Sequence, residues 1–279
     1  MHQILKFLTR AAALLVSLNI HSNQQTFNAP DEHGERSIVV VIASYKNQAW
    51  YKQNLDSIFT QNYHNYKLIY IDDCSPDGTG DLVEHYVAEK GQTDRVTVIK
   101  NSTRVGALAN YYTAIHMCKD NAIVVQVDGD DFLAHPTVLA KINDVYADPN
   151  IWFAYSQLLL WPANTIGWNQ PYTKNNSLYG PRGGGPSHVR TFYAKLFKNI
   201  QREDLLYNGD FFSMAWDTAI ILPMVEMAEE KHIAFIPEVL YIYNDINPIN
   251  DHKIDRTLQK NLDAFIRNKT PYEPLEVLF

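Results

Sequence analysis

The sequence predicts an α/β protein built on a single doubly wound, mostly parallel sheet. Three observations carry that expectation. Compact runs rich in β-branched residues recur at Ile38–Ala43, Lys67–Ile71, Val96–Ile99 and Ile123–Val125. Helix-like stretches separate them, and a repeated strand–helix order is the pattern of a parallel sheet. Polar and acidic residues gather where the runs end, at the edge where open α/β sheets bind ligands.

The elements follow in order. Residues 19–36 are polar, contain Pro30 and Gly34, and read as a linker. Ile38–Ala43 is apolar throughout, as expected of a strand buried on both faces. A helix over Trp50–Thr60 leads to the second strand, which runs into Asp72-Asp73-Cys74-Ser75-Pro76-Asp77-Gly78-Thr79. That loop is dense in turn formers, and Thr79 is placed to cap a helix reaching Val87. After the third strand, Arg104-Val105-Gly106-Ala107-Leu108-Ala109-Asn110 opens a helix to about Cys118. Its small residues let backbone or ligand approach closely. The fourth strand delivers Asp128-Gly129-Asp130-Asp131.

Beyond this turn the sequence predicts a helix over Thr137–Tyr146 and a strand over Ile151–Leu160. Residues 161–187, with Trp161, Trp168 and a Gly-Gly-Gly run, read as a long loop, a length usually reserved for function or disorder. Helices are expected over His188–Ile200, from Asp217 through Met227, and over Ile254–Ile266. Ile233–Ile236 and Val239–Tyr243 are expected as strands, followed by a polar turn at 244–252.

Composition narrows the function classes. The 279 residues are 46% apolar and carry 24 Lys and Arg against 31 Asp and Glu, a net charge of −7. This charge, without a basic run, argues against a nucleic-acid partner. Cys74 and Cys118 are too few for a disulfide scaffold and are expected as free thiols. Gly183-Gly184-Gly185 lacks the rest of a P-loop, and no G-x-G-x-x-G follows the first strand. Zinc-ligand cysteine pairs and a serine-hydrolase elbow are also missing.

At the N-terminus, Lys6 and Arg10 precede Ala11-Ala12-Ala13-Leu14-Leu15-Val16-Ser17-Leu18, too short a run to span a bilayer. A secretory signal segment, an interfacial anchor giving peripheral membrane contact, and a helix packed on the domain are equal readings. Localisation stays open between the cytoplasm or its membrane surface and a secretory-pathway lumen.

Taken together and in order, the strand-end motifs resemble the inverting glycosyltransferases of family 2, with the A-type nucleotide-sugar-binding fold. The resemblance is clear over about residues 37–160. It implies a catalytic domain over 37–279, with acceptor-side elements mainly in 161–253, preceded by a targeting or anchoring segment and linker at 1–36. It also implies metal-dependent, inverting transfer of a sugar from a nucleotide diphosphate donor, UDP by preference, to a hydroxyl-bearing glycan or related acceptor. The alternative is a catalytically silent carbohydrate-binding or assembly protein that keeps the fold.

Residue by residue, the resemblance places Ala43 and Tyr45 at the nucleotide pocket. Asp73 is placed on the nucleobase, with Asp72 at the strand end beside it. Arg104 and Gly106 match the R-x-x-G-x-A-x-N segment with shortened spacing and fall on phosphate or sugar. Asp128-Gly129-Asp130-Asp131 resembles the D-x-D-D motif, implying a divalent metal, Mn²⁺ or Mg²⁺, which prefers oxygen ligands. Asp130 is the favoured metal ligand, Asp128 contacts sugar, ribose or metal-bound water, and Asp131 is either a supporting partner or a helix cap. His252 is the expected C-terminal metal or diphosphate ligand. His188, Arg190 and Lys253 face diphosphate or acceptor. Asp217 matches the catalytic base, although Trp216 stands where many relatives carry an acidic residue; Asp210 is held in reserve.

Overall fold

The computed structural model describes residues 28–173, 182 and 185–279, apart from the side chain of His252. Strands β1 (Ile38–Ser44), β2 (Tyr66–Asp72), β3 (Val96–Lys100) and β4 (Ile123–Asp128) pair in parallel in the order β3-β2-β1-β4. Helices α1 (Tyr51–Phe59), α2 (Thr79–Glu89) and α3 (Ala107–Met117) connect them. Ile38, Val40, Ile42, Ile123, Val124 and Val125 are fully buried, so the continuous apolar runs are strands covered on both faces.

The chain order reverses between β1 and β4, since β2 and β3 lie on one side of β1 and β4 on the other. Such a switch point leaves a crevice at the strand carboxyl ends. Here Ala43 pairs with Asp128 on one side of β1 and Ser44 with Asp72 on the other. The predicted strand ends therefore converge.

The second half extends this sheet. Its elements are β5 (Phe132–Leu133), α4 (Val138–Val145), β6 (Phe153–Trp161), β7 (Thr165–Ile166), β8 (Arg190–Tyr193) and α5 (Ala194–Lys198). They are followed by β9 (Leu206–Tyr207), β10 (Asp210–Phe211), α6 (Trp216–Ala228), β11 (Ile233–Asn244), α7 (Asp251–Ile254) and α8 (Arg256–Arg267). The full order is β3-β2-β1-β4-β8-β6-β11-β5, with β7 on β6 and β9–β10 a separate hairpin. The long ladders are parallel, and β8, β5 and β7 add short antiparallel ones.

The predicted helix over His188–Ile200 is corrected: its first part is β8, and only Ala194–Lys198 is helical. Thr191, Phe192 and Tyr193 suit a buried strand, and β8 fills the gap between β4 and β6. The two strands predicted around Pro237 are one strand, β11, whose register slips between Ile236 and Tyr241. Proline gives the ladder no N–H, and a bulge absorbs the irregularity. The last helix begins at Arg256, where the Asp255 carboxylate accepts from the Leu258 N–H at 2.8 Å, an N-cap. Cys74 and Cys118 are free, as expected. The segment read as targeting or anchoring lies outside the described residues. Among those described, no helix is long and apolar enough to cross a membrane.

Candidate functional site

At the switch point the strand ends enclose a cleft of about 240 Å³. Ala43, Tyr45, Asp73, Arg104, Asp128, Asp130, Asp131, His188, Arg190 and Asp217 all line it.

One end is built on the Asp73 carboxylate. Its Oδ1 accepts from Asn101 Nδ2 and the Val105 N–H, both at 2.9 Å, and its Oδ2 from the Gly106 N–H at 2.8 Å. Burial opposes the charge, but these donors together outweigh it and hold the Asp73 carboxyl below its ordinary range. Gly106, at φ +91° just ahead of α3, delivers its N–H through a conformation that side chains resist. The Arg104 guanidinium lies 3.9 Å over the Tyr45 ring, a cation–π contact. Asp72 sits behind this end, its Oδ2 accepting from the Ser75 N–H at 3.0 Å.

The acidic turn forms the floor. Gly129 is required by close approach: a Cβ there would meet Asn47 Nδ2 at 2.4 Å and Ser44 Oγ at 2.8 Å. Asp128 accepts from the Tyr111 hydroxyl at 2.9 Å, and its other oxygen lies 3.1 Å from His188 Nε2. Asp130 accepts from Asn247 Nδ2. Burial and the neighbouring Asp128 charge, against that hydrogen bond, push the Asp130 carboxyl up to about 6. Asp131 points inward, accepting from the Tyr241 hydroxyl at 2.8 Å and the Asn244 N–H at 2.7 Å. Burial, then the charges of Asp130 and Asp128, raise it well above the ordinary carboxyl range.

Ligand atoms of Asp128, Asp131 and His188 lie within 4.8 Å of one another. Three carboxylates crowded on one turn, two of them biased toward protonation, fit a divalent cation that relieves their repulsion. Asp131 is buried with its oxygens on Tyr241 and Asn244, whereas Asp128 and Asp130 are half-buried, so these two present the more accessible carboxylates to the cleft. His252 lies in α7, with its side chain outside the described residues.

The opposite wall comes from β8 and α6. Arg190 is almost fully buried and holds three partners. Its Nη2 donates to Asp217 Oδ2 at 3.1 Å, its Nε to the Pro186 carbonyl at 3.2 Å, and its Nη1 lies 3.1 Å from His188 Nε2. Burial first, and then the Arg190 charge, lower the His188 pKa despite Asp128, which keeps the ring neutral. Asp217 occupies the first turn of α6, its other oxygen accepting from the Thr218 N–H at 2.9 Å. Trp216 lines the cleft beside it and stacks on Tyr111, centroids 5.1 Å apart at 25°.

Two sequence-predicted residues are placed elsewhere. Lys253 turns to the carbonyls of Asp245 and Asn247, consistent with a loop clamp. Asp210 is exposed in the β9–β10 hairpin, apart from the cleft lining. Conversely, Asn47, Asn110, Tyr243, Asn247, Asp251 and Gln259 also line the cleft. Burial, followed by the charges of Asp217 and Asp128, pushes the Asp251 carboxyl up to about 6. The polar turn at 244–252 signalled Asn247 and Asp251; Asn47 gave no local signal.

Residues 39–200 match the signature of Glycosyl transferase family 2. EpsE of Bacillus subtilis (strain 168), named as a glycosyltransferase, is 33% identical over 106 residues, 37% of this chain and 36% of its own length. An uncharacterized glycosyltransferase of Haemophilus influenzae is 30% identical over 117 residues, 42% of this chain and 37% of its own. The chain thus matches just over a third of the length of these relatives. Among solved structures, S. aureus TarS in complex with UDP superposes with TM-score 0.59 at 16% identity, covering 83% of this chain and 71% of that one. Mannosyltransferase PcManGT from Pyrobaculum calidifontis, in complex with GDP-Man and Mn²⁺, gives 0.60 at 18% identity over 96% and 73%. At such identities the likeness establishes the fold.

Proposed function

Since the chain belongs to glycosyl transferase family 2, we propose that it transfers a sugar from a nucleotide diphosphate donor, UDP-linked by preference, to a hydroxyl-bearing acceptor with inversion. The observation that carries this reading is one cleft holding the Asp73 nest, the acidic turn and, across from them, Asp217.

Each wall has a task. Tyr45 with the Arg104 guanidinium over it offers a flat, cationic surface to a base and its phosphates. Asp73, kept ionised, accepts from a base N–H. Asp128 and Asp130 would hold the divalent ion, which when bound stabilises the charge of the departing diphosphate. Asp217 receives the proton of the acceptor hydroxyl. The acceptor oxygen forms its bond to the anomeric carbon as the bond to the diphosphate oxygen breaks, that electron pair leaving with the nucleoside diphosphate. Attack from the face opposite the leaving group inverts the anomeric centre. Arg190 is a positioning residue: its bond to Asp217 fixes the base, and its contact with His188 ties that base to Asp128.

The test is a screen of UDP-, GDP- and dTDP-sugars with linkage analysis of the product, alongside Asp217→Asn. The expected variant keeps donor binding and loses transfer by a factor on the order of 10² or more. Wild-type transfer rates in that variant reject Asp217 as base. Tight nucleotide and Mn²⁺ binding without turnover, with every donor tried, would favour the silent binding protein.

A further inference from the structure

Trp216 stands where the resembled family often carries an acidic residue, and the chemistry assigned to Asp217 leaves it without a task. Its placement is specific. Ala215, immediately before it, adopts φ +52°, a left-handed conformation that alanine resists, and the chain turns there into α6. That turn sets Trp216 and Asp217 side by side on the cleft wall. The indole is half-buried, stacks on Tyr111, and its N–H has no protein partner among the described residues. Tyr111 is itself fixed, donating to the Val127 carbonyl at 3.0 Å and to Asp128 at 2.9 Å. The result is a braced aromatic surface, with a free donor at its edge, next to the proposed base.

We propose that Trp216 is the platform for the acceptor, and that the acceptor is a neutral pyranoside presenting a face of C–H groups. This rests on the reading of Asp217 as base, because the group that deprotonates the acceptor must touch it and Trp216 adjoins that group. An indole contributes by burying apolar surface at little conformational cost. A pyranose ring offers such a face together with hydroxyls for the indole N–H. An alditol phosphate or a serine or threonine hydroxyl offers no flat apolar face.

Saturation-transfer NMR on the full chain tests this with methyl β-D-glucopyranoside, methyl β-D-galactopyranoside and methyl N-acetyl-β-D-glucosaminide. Ribitol 5-phosphate is the contrasting probe. Titrations run with and without UDP and Mn²⁺. Wild type is expected to saturate ring C–H protons of at least one glycoside and to ignore ribitol 5-phosphate. Trp216→Ala should weaken that glycoside about tenfold or more, the scale of losing an aromatic anchor, while Trp216→Phe keeps part of the affinity. UDP affinity, read by calorimetry, should be unchanged in both variants; because binding needs the fold, this also excludes a misfolded protein. Asp217→Asn should keep glycoside saturation. A chain that binds no UDP but saturates glycosides through Trp216 loses the donor reading and keeps this one. Glycoside binding indifferent to Trp216, no glycoside binding under any condition, preferred binding of ribitol 5-phosphate, or an equal loss of UDP affinity overturns the proposal.

Discussion

Replacing Asp130 by Asn tests the crowding of carboxylates on the acidic turn without any substrate. The Asp130 carboxyl stands at about 6 against an ordinary 3.8, through burial and the adjacent Asp128. The folded chain therefore keeps a proton that the unfolded chain releases between about pH 4 and pH 6. Stability falls as pH rises through that window and levels off above it. At 1.36 kcal/mol per pH unit the displacement amounts to roughly 3 kcal/mol. Partial exposure of the carboxylate to the cleft reduces this to about 1–2 kcal/mol. Asparagine keeps an oxygen to accept from Asn247 Nδ2 and carries no charge. With EDTA present, Asp130→Asn should therefore be more stable than wild type by about 1–2 kcal/mol at pH 7.5 and nearly equal to it at pH 4. Asp251 titrates alike in both proteins, while Asp131 loses the neighbouring Asp130 charge in the variant, so the difference between paired urea melts reads position 130 together with the relief of Asp131. With Mn²⁺ in excess the order should reverse, because only a site that binds the ion gains from mass action. A variant less stable than wild type at pH 7.5 in EDTA, or equal Mn²⁺ stabilisation of both, refutes the reasoning.

Two further substitutions probe the scaffold. Gly129→Ala should cost about 1–3 kcal/mol and weaken nucleotide binding, since the new Cβ meets Asn47 Nδ2 at 2.4 Å and Ser44 Cβ at 2.8 Å; thermal melts and UDP calorimetry read both effects, and a neutral result removes the close-approach argument. Arg190→Lys keeps the charge, but one ammonium cannot reproduce the fork onto Asp217, the Pro186 carbonyl and His188. A loss of about 2–4 kcal/mol in stability, with transfer reduced more than donor binding, is expected from denaturation and kinetics; unimpaired kcat would dismiss Arg190 as a positioning residue.

How much was legible in the sequence follows from how local each feature is. The donor half was readable because each strand carries its own motif at its own end. Ile38–Ala43, Asp72-Asp73 and Asp128–Asp131 need only their neighbours in the chain to announce strand and turn. Parallel pairing then brings those ends together without further information. The opposite wall resisted because β8 is a strand by virtue of its seat between β4 and β6, and the apolar and polar order of 188–200 suits a helix equally well. His188 and Arg190 were singled out as facing diphosphate or acceptor, in a stretch read as helix; their burial and mutual contacts follow from a sheet position no local pattern encodes. Asn47 was missed for the same reason, since its role is contact with Ser44 beneath the glycine of a turn far along the chain. Lys253, taken from the late polar cluster, and Asp210, held in reserve behind Asp217, lie outside the cleft lining.

The residues hardest to read are also those that join the two halves of the site. Tyr111 on α3 touches Asp128 on β4, Asp128 touches His188, and Arg190 on β8 reaches from His188 to Asp217 on α6. Every link is at 3.1 Å or less, and three of its five members, Tyr111, His188 and Arg190, are buried. A buried arginine without a carboxylate partner would carry the cost of an unpaired charge, so Asp217 is held where Arg190 needs it. The position of the proposed base thus depends on the register of β8 against β4, which is the same strand that presents the acidic turn. One ladder therefore sets both the acidic turn and the place of Asp217, the proposed base, and a register slip of β8 would separate them even with every cleft residue retained.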